Sequence, residues 1–382
     1  MSRRIKVLFL ANIPSPYRVA FFNELGEKCD LTVLFERKTS DERELTWYNN
    51  DFSNFRAVFL EGIKVNKNNA LCFNVIRYLK KNLYDFIIVG GYATPTGTLA
   101  INYMKLKNIP FAINADGGII NKNERLYKKV IKKLLISSAD FWLSTSKTTN
   151  NYFEYYGADL NKTHQYPFTT LKQIDLVKAP INKLAKNDLR KKLNIKEEKV
   201  ILSVGQFIHR KGFDVLLNAC SILPREYGIY IVGGEPPDEY VKLKKKLELN
   251  NVHFVGFKSK EDLKEYYMAS DLFVLPTRED IWGLVINEAM AYGLPIITTE
   301  KCVAGLELVK DYENGFIIPV DDSSNLAKKI TEIIEDDNLQ EKMRNNSLIK
   351  IKKYTIENMA AETLIIFENL LEKRDVHIGK GT

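Results

Sequence analysis

The stretch LFVLPTREDIWGLVINEAMAYGLPIITT, residues 272–299, decides the fold. Leu272–Leu275 is a short apolar run suited to a buried strand. The loop Pro276–Trp282 follows, and Gly283 frees the backbone to enter a helix at Leu284. That helix is predicted over residues 284–292, and a second apolar run, Pro295–Thr298, comes directly after it. Strand, loop, helix and strand in this order form one unit of a parallel, helix-covered sheet.

The same alternation extends outward in both directions. Around this unit, strands are predicted at Lys199–Val204, Ile229–Val232, Val252–Val255 and Phe316–Pro319, with helices at 213–222, 238–249, 261–269 and 324–335. Nearer the N-terminus, Ile5–Ala11, Leu31–Phe35, Ala57–Leu60, Phe86–Val89, Pro110–Asn114 and Phe141–Thr145 read as buried strands. Helical patterns near 16–26, 71–82, 96–107, 124–138 and 147–156 separate them. The alternation breaks at residues 171–198, which are polar and Lys-rich and contain Pro180; this segment reads as a linker running into a basic helix at Leu184–Leu193. Two tandem α/β domains are therefore expected, each a Rossmann-like, doubly wound parallel sheet, over residues 1–175 and 176–355. Helices near 338–352 and 356–373 end the chain. The last carries Ile356, Met359, Ala360, Leu364, Ile365, Phe367 and Leu371 at helical spacing, so it needs a surface to cover. Doubly wound sheets bind ligands at the carboxyl ends of their strands, and two such domains are expected to face each other across a cleft that holds the site.

Bulk properties narrow the function classes. The length of 382 residues suits two ordinary domains. With 45% hydrophobic and 27% charged residues the chain reads as globular, with disorder expected only at 374–382. The net charge of +8 favours anionic partners without choosing among nucleic acid, an anionic membrane or phosphorylated small molecules. The four cysteines, Cys29, Cys72, Cys220 and Cys302, lack zinc-ligand or redox spacing and are expected as reduced thiols. The apolar run at Val7–Ala11 is too short for a signal peptide, and no run approaches a membrane span, so a cytoplasmic protein is expected. No G-x-G-x-x-G follows a strand, which disfavours an NAD enzyme, and no reader motif supports nucleic-acid binding.

Two segments carry the chemistry. In VGQFIHRKGFDVLL, residues 204–217, a strand ends at Val204, Gly205 turns, and Gly212 opens a helix. Arg210 and Lys211 stand at that corner, where two cations beside a helix start form an anion site. In the opening stretch, Asp280 lies in the loop three residues before Gly283, and Glu288 lies five residues into the helix, about 7.5 Å along it. Two carboxylates so placed can accept hydroxyl hydrogen bonds on either side of a diphosphate bound at the helix start.

Together these segments resemble the retaining glycosyltransferases of family four, which have the GT-B fold. Gly205, Lys211-Gly212, Trp282-Gly283, Glu288-Ala289-Met290-Ala291, Gly293-Leu294-Pro295 and Asn314-Gly315 match that pattern in order and spacing. The resemblance implies a nucleoside-diphosphate-sugar donor, UDP-sugar favoured, and retention at the anomeric carbon. It also implies no metal and no cofactor, and a saccharide or lipid-linked acceptor in bacterial surface-polysaccharide synthesis. It gives Glu288 the ribose hydroxyls, Asp280 the donor sugar, and Arg210 and Lys211 the diphosphate. The expected donor-binding set is Gly205, Gln206, Gly233, Phe257, Trp282, Gly283, Leu284 and Glu288. Two positions depart from the family. Asp280 stands where Glu is usual, which opens the choice of sugar, and Gln206 stands where Arg is frequent, with Arg210 as the substitute cation. In the N-terminal domain, Asn12, Pro14, Tyr17 and Arg18 follow the first strand and Asp116 follows the strand at 110–114; these are the expected acceptor-side residues, with Asp116 as base or orienter. The family also implies that the last helix crosses back to the N-terminal domain. Alternatives are a nucleotide-sugar epimerase of the same architecture and a non-catalytic polyanion binder.

One motif stands apart. In ERLYKKVIKKLLI, residues 124–136, Leu126, Tyr127, Val130, Ile131, Leu134 and Leu135 fill one half of a helix, and Arg125, Lys128, Lys129, Lys132 and Lys133 the other. The apolar half is expected to pack on the sheet, and the basic half to lean on an anionic inner membrane leaflet.

Overall fold

The computed structural model describes residues 3–39, 51–66 and 69–379. The chain divides into two compact units, one formed by residues up to Thr170 together with the segment from Thr355, the other by Leu171–Tyr354.

The first unit is built on β1 (Lys6–Ala11), β2 (Asp30–Phe35), β3 (Arg56–Phe59), the two-residue strands β4 (Ile63–Lys64) and β5 (Ala70–Leu71), β6 (Phe86–Val89), β7 (Ala112–Asn114), β8 (Phe141–Ser144) and β9 (Thr163–Gln165). Its helices are α1 (Pro16–Lys28), α2 (Pro95–Leu106), α3 (Leu126–Ile136) and α4 (Lys147–Tyr155). Seven strands form one parallel sheet in the order β3-β2-β1-β6-β7-β8-β9, and β4 and β5 form a separate antiparallel pair. Val7–Leu10 and Phe86–Val89 are buried throughout, as strands covered by helices on both faces must be.

The second unit runs α5 (Lys183–Lys192), β10 (Lys199–Val204), α6 (Phe213–Cys220), β11 (Tyr227–Val232), α7 (Asp238–Lys246), β12 (Val252–Val255), α8 (Lys260–Ala269) and β13 (Leu272–Leu275). It continues with α9 (Leu284–Ala291), β14 (Ile296–Thr299), α10 (Val303–Leu308), β15 (Gly315–Ile318), α11 (Ser323–Ile334) and α12 (Asp337–Ile351). Its sheet is parallel, in the order β12-β11-β10-β13-β14-β15. In each sheet the winding reverses next to the first strand, between β1 and β6 and between β10 and β13. Strand ends at such a reversal open a crevice for ligands.

Three expectations are corrected. No α-helix forms at 71–82; β5 leads into a short 3-10 turn at Phe73–Arg77. Thr96 on α2 takes the backbone groups that would start a helix: its Oγ1 donates to Ala70 O (2.7 Å) and accepts from Cys72 N (3.0 Å). Val75 and Leu79 are still buried, so the apolar spacing serves packing without the helix. The loose end expected from Arg374 is also overturned, because α13 (Ile356–Gly379) continues past it; residues 380–382 of that expectation lie outside the described residues. Arg374 holds this extension, donating to Asp85 O (3.0 Å) with its guanidinium 5.0 Å from the Phe86 ring centroid. The apolar stripe of α13 packs on α1, and Phe367 stacks on Phe86 at 4.7 Å. The third correction concerns α3, whose apolar face does not pack on the sheet: Leu126, Tyr127, Val130, Ile131 and Leu134 are exposed. The basic helix expected after the linker forms as α5, and its Lys186 and Arg190 are buried and grip Asp271 at 2.7 and 2.6 Å.

Candidate functional site

At the reversal in the second unit, two loops are pressed together by missing side chains. A Cβ at Gly233 would fall 1.7 Å from Gly205 O, so the loops after β10 and β11 touch backbone to backbone. Gly212, in the left-handed region at φ 68°, lies so close to the next loop that a Cβ would fall 2.0 Å from Pro276 O. Hydrogen bonds stitch the same contact: Arg278 N and Thr277 Oγ1 both donate to Arg210 O at 2.8 Å. Arg278, which sequence reasoning missed, also donates to His209 O (2.7 Å), pairs with Asp214 through both Nη atoms (2.9 and 2.6 Å) and reaches Asp321 (2.7 Å). Its fork fits two carboxylates and a backbone carbonyl at once, which a lysine does not match. Its only sequence signal was a charged residue at the carboxyl end of a buried strand.

This scaffold brings three expected site residues together. Lys211 Nζ lies 2.5 Å from Asp280 Oδ2, and Arg210 Nη1 lies 3.4 Å from Asp280 Oδ1. Lys211 and Asp280 are nearly buried, while Arg210 is half-exposed and donates to Glu279 O (2.9 Å). Asp280 is fixed from the far side, since its N donates to Lys301 O (2.9 Å) and its O accepts from Val303 N (3.2 Å). The carboxylate thus holds two cations at a strand end, ready to be shared with an anion.

Beside this cluster α9 begins at Gly283, with φ 100° and no side-chain cap, and its first turn carries no acidic residue. An uncapped helix start with cations nearby favours an anion. Leu284 is half-buried in that first turn. Trp282 is only 4% exposed and its Nε1 donates to Asn287 Oδ1 (2.8 Å), so its indole braces the turn from inside instead of offering a face to a ligand. Glu288 is half-buried and accepts from Tyr267 Oη (2.9 Å); burial pushes its carboxyl up to about 7. Gln206 and Phe257 are exposed at the ends of β10 and β12.

The reversal in the first unit has the opposite character. Arg18 on α1 is buried, and its guanidinium lies 5.6, 6.0, 5.9 and 5.5 Å from the ring centroids of Phe9, Tyr17, Phe21 and Phe168. It forms an ion pair with Asp116. Tyr17 Oη (3.4 Å) and Asn114 Nδ2 (3.2 Å) also donate to the Asp116 carboxylate, and Thr145 Oγ1 donates to its carbonyl (2.9 Å). Tyr17, Arg18 and Asp116 are therefore assembled as one group, while Pro14 is buried and Asn12 lends its carbonyl to Arg37 N (3.0 Å).

A second carboxyl here was not singled out from sequence. Glu36, at the end of β2, is 2% exposed and reaches across the end of β1 to the turn after β6, where its Oε1 accepts from Thr94 Oγ1 (2.7 Å). Its Oε2 has no partner among the described residues. Burial pushes this carboxyl up to about 7 as well. The signal was present in the sequence as a lone charge closing the apolar run Leu31–Phe35.

Two doubly wound parallel units in one chain, the second with a cationic strand edge beside an uncapped helix start, are the GT-B architecture of glycosyltransferases. Residues 185–349, most of the second unit, match the family model described as Glycosyl transferases group 1. An uncharacterized glycosyltransferase of Haemophilus influenzae is 29% identical over 298 residues, 75% of this chain and 77% of that one. The lipopolysaccharide core biosynthesis glycosyltransferase LpsE of Rhizobium meliloti is 31% identical over 145 residues, 38% of this chain and 42% of that one. Among solved structures, Anabaena HepE in complex with UDP superposes with a TM-score of 0.75 at 17% identity, over 97% of this chain and 100% of that one. That likeness is one of fold.

Proposed function

We propose that this chain transfers a sugar, with retention, from a nucleoside-diphosphate sugar to a saccharide or lipid-linked acceptor in surface-polysaccharide synthesis. UDP is the favoured nucleotide, and the work is done in the cytoplasm at an anionic membrane face. The observation that carries the reading is the clasp of Asp280 by Lys211 and Arg210 beside the uncapped start of α9. The lipopolysaccharide core biosynthesis role of LpsE and the UDP bound by HepE support it. The matched relatives are transferases, so an epimerase is not favoured.

In this mechanism the diphosphate enters at the α9 start and takes over Lys211 and Arg210 from Asp280. The two cations and the helix dipole then neutralise charge growing on the leaving diphosphate, without a metal. Asp280, released from part of its pairing, accepts from donor-sugar hydroxyls, and Glu288 accepts from the ribose. The acceptor hydroxyl, ordered by the Asp116 group, attacks from the face that the diphosphate leaves, and a leaving phosphate oxygen takes its proton.

The test is a panel of UDP-, GDP- and ADP-sugars read by mass spectrometry for nucleotide release, in buffer with and without EDTA. Release from a UDP-sugar, unchanged by EDTA, is expected. Inertness with every donor would sink the reading, and an epimerised donor without release would replace it. Asp280→Glu, run on the same panel, is expected to shift the preferred sugar.

A further inference from the structure

The helix α3 is turned the opposite way from its sequence expectation. Of its side chains only Leu135 and Ile136 are buried. Leu126, Tyr127, Val130, Ile131 and Leu134 are 80, 55, 55, 50 and 57% exposed. At about 100° per residue, these five fill one continuous arc of roughly 140°.

The body of the unit takes two of the lysines instead. Lys129 Nζ bonds Tyr155 Oη (2.7 Å), and Lys132 Nζ pairs with Glu124 (2.5 Å) while lying 5.7 and 5.1 Å from the Tyr152 and Tyr156 rings. Tyr156 Oη donates to the other oxygen of Glu124 (2.6 Å), so the inward face is a closed polar and aromatic cluster. The outward arc carries no carboxylate. Exposed Lys128 and Lys133 border it on its two sides, and exposed Lys122 and Arg125 precede it.

We propose that α3 is a membrane-insertion surface: its outward apolar arc enters the interfacial layer of an anionic bilayer, and Lys128, Lys133 and Arg125 meet the headgroups. An apolar face flanked by cations is the composition of a helix that lies in the membrane plane. A contiguous apolar patch of this kind calls for a partner, and charge selects which one. A second copy of α3 would bring the two lysine borders against each other, whereas an anionic lipid surface neutralises both. The inward cluster fastens the helix to its unit, so the bilayer meets a fixed surface. The loop that carries Asp116 leads directly into α3, which puts the proposed acceptor group in the chain segment that reaches the lipid.

The inference replaces the electrostatic leaning of a basic face with insertion of the apolar one, and the two are separable. The full chain is sedimented with phosphatidylcholine vesicles and with vesicles containing phosphatidylglycerol, over a range of salt. Expected is binding to the anionic vesicles that survives moderate salt, about tenfold weaker in Val130→Asp or Leu134→Asp. Both positions are exposed, so the thermal midpoint of each variant should equal that of the parent. Lys128→Glu with Lys133→Glu should weaken binding to the anionic vesicles and flatten its salt dependence, and Tyr127→Trp should show a blue shift quenched by brominated lipid. No binding to anionic vesicles, or equal binding by Leu134→Asp, overturns the proposal. So does a dimer in solution that Leu134→Asp dissolves, which would make a second copy the partner. Vesicle binding is read without any sugar donor. A chain that binds vesicles but is inert with every nucleotide-sugar loses the transfer reading and keeps this one.

Discussion

The two strand-end crevices have the same winding and opposite chemistry. At the β10/β13 reversal, Lys211 and Arg210 close on Asp280 beside an uncapped helix start, so cations are in excess. At the β1/β6 reversal, Glu36 and Asp116 stand on either side, and one buried cation, Arg18, is already committed to Asp116. The first arrangement suits a multiply charged anion, and the second suits neutral hydroxyls that need oriented acceptors. A doubly wound sheet sets where a ligand lies, and the side chains at its strand ends set what the ligand is.

The largest expected effect attacks the cationic side. Lys211→Ala should lower turnover by about two to three orders of magnitude, the usual loss for one group that stabilises leaving charge. Turnover near the parent's would dissolve the contrast between the two crevices. On the other side, Arg18→Met should lower unfolding free energy by about 3 kcal/mol, the low end for breaking a buried pair, because Asp116 keeps some contact with water. Urea denaturation measures this loss, and nucleotide affinity should not change. Equal losses of stability and of nucleotide affinity would mean that the two crevices are not separate in function.

The smallest effect is a pH dependence. Glu288 and Glu36 are both raised from 4.5 to about 7, so the folded chain holds more protons than the unfolded chain between those values. Stability should therefore fall as pH rises through that window and level off above it. Glu288→Gln and Glu36→Gln should each flatten part of the slope in thermal unfolding. The two should differ in binding. Nucleotide affinity of the parent should drop as pH falls below about 7, where Glu288 gains a proton and loses an acceptor site, and only Glu288→Gln should remove that drop.

Much of the fold was legible because its signals are local. The run from Leu272 to Thr299 yielded strand, turn, helix and strand, since apolar length and one flexible glycine suffice for each. The pattern failed at 71–82, where Thr96, brought in from α2, claims the backbone groups of Ala70 and Cys72. It also stopped α13 too early, because Arg374 gains its partners Asp85 and Phe86 only once α13 packs on the sheet. Within the site, Arg210, Lys211, Asp280 and Glu288 were legible as charges at strand and helix ends. Arg278 was not, since its value lies in joining Asp214, Asp321 and His209 O, none of them a neighbour in sequence.

Sequence alone determined that there are two doubly wound units, where their strands end, and which charged residues stand at those ends, because periodicity and turn chemistry act over a few residues. Tertiary structure decided three further things. It paired Lys211 with Asp280 across sixty-nine positions, because the close approach at Gly212 brings their loops together. It buried Glu36 over the end of β1 with one oxygen left over. And it chose which face of α3 looks outward. A helical wheel shows that α3 has two faces, but only Tyr152, Tyr155 and Tyr156, arriving from elsewhere in the chain, together with Glu124 just before the helix, determine that Lys129 and Lys132 turn in while Leu126, Val130 and Leu134 turn out.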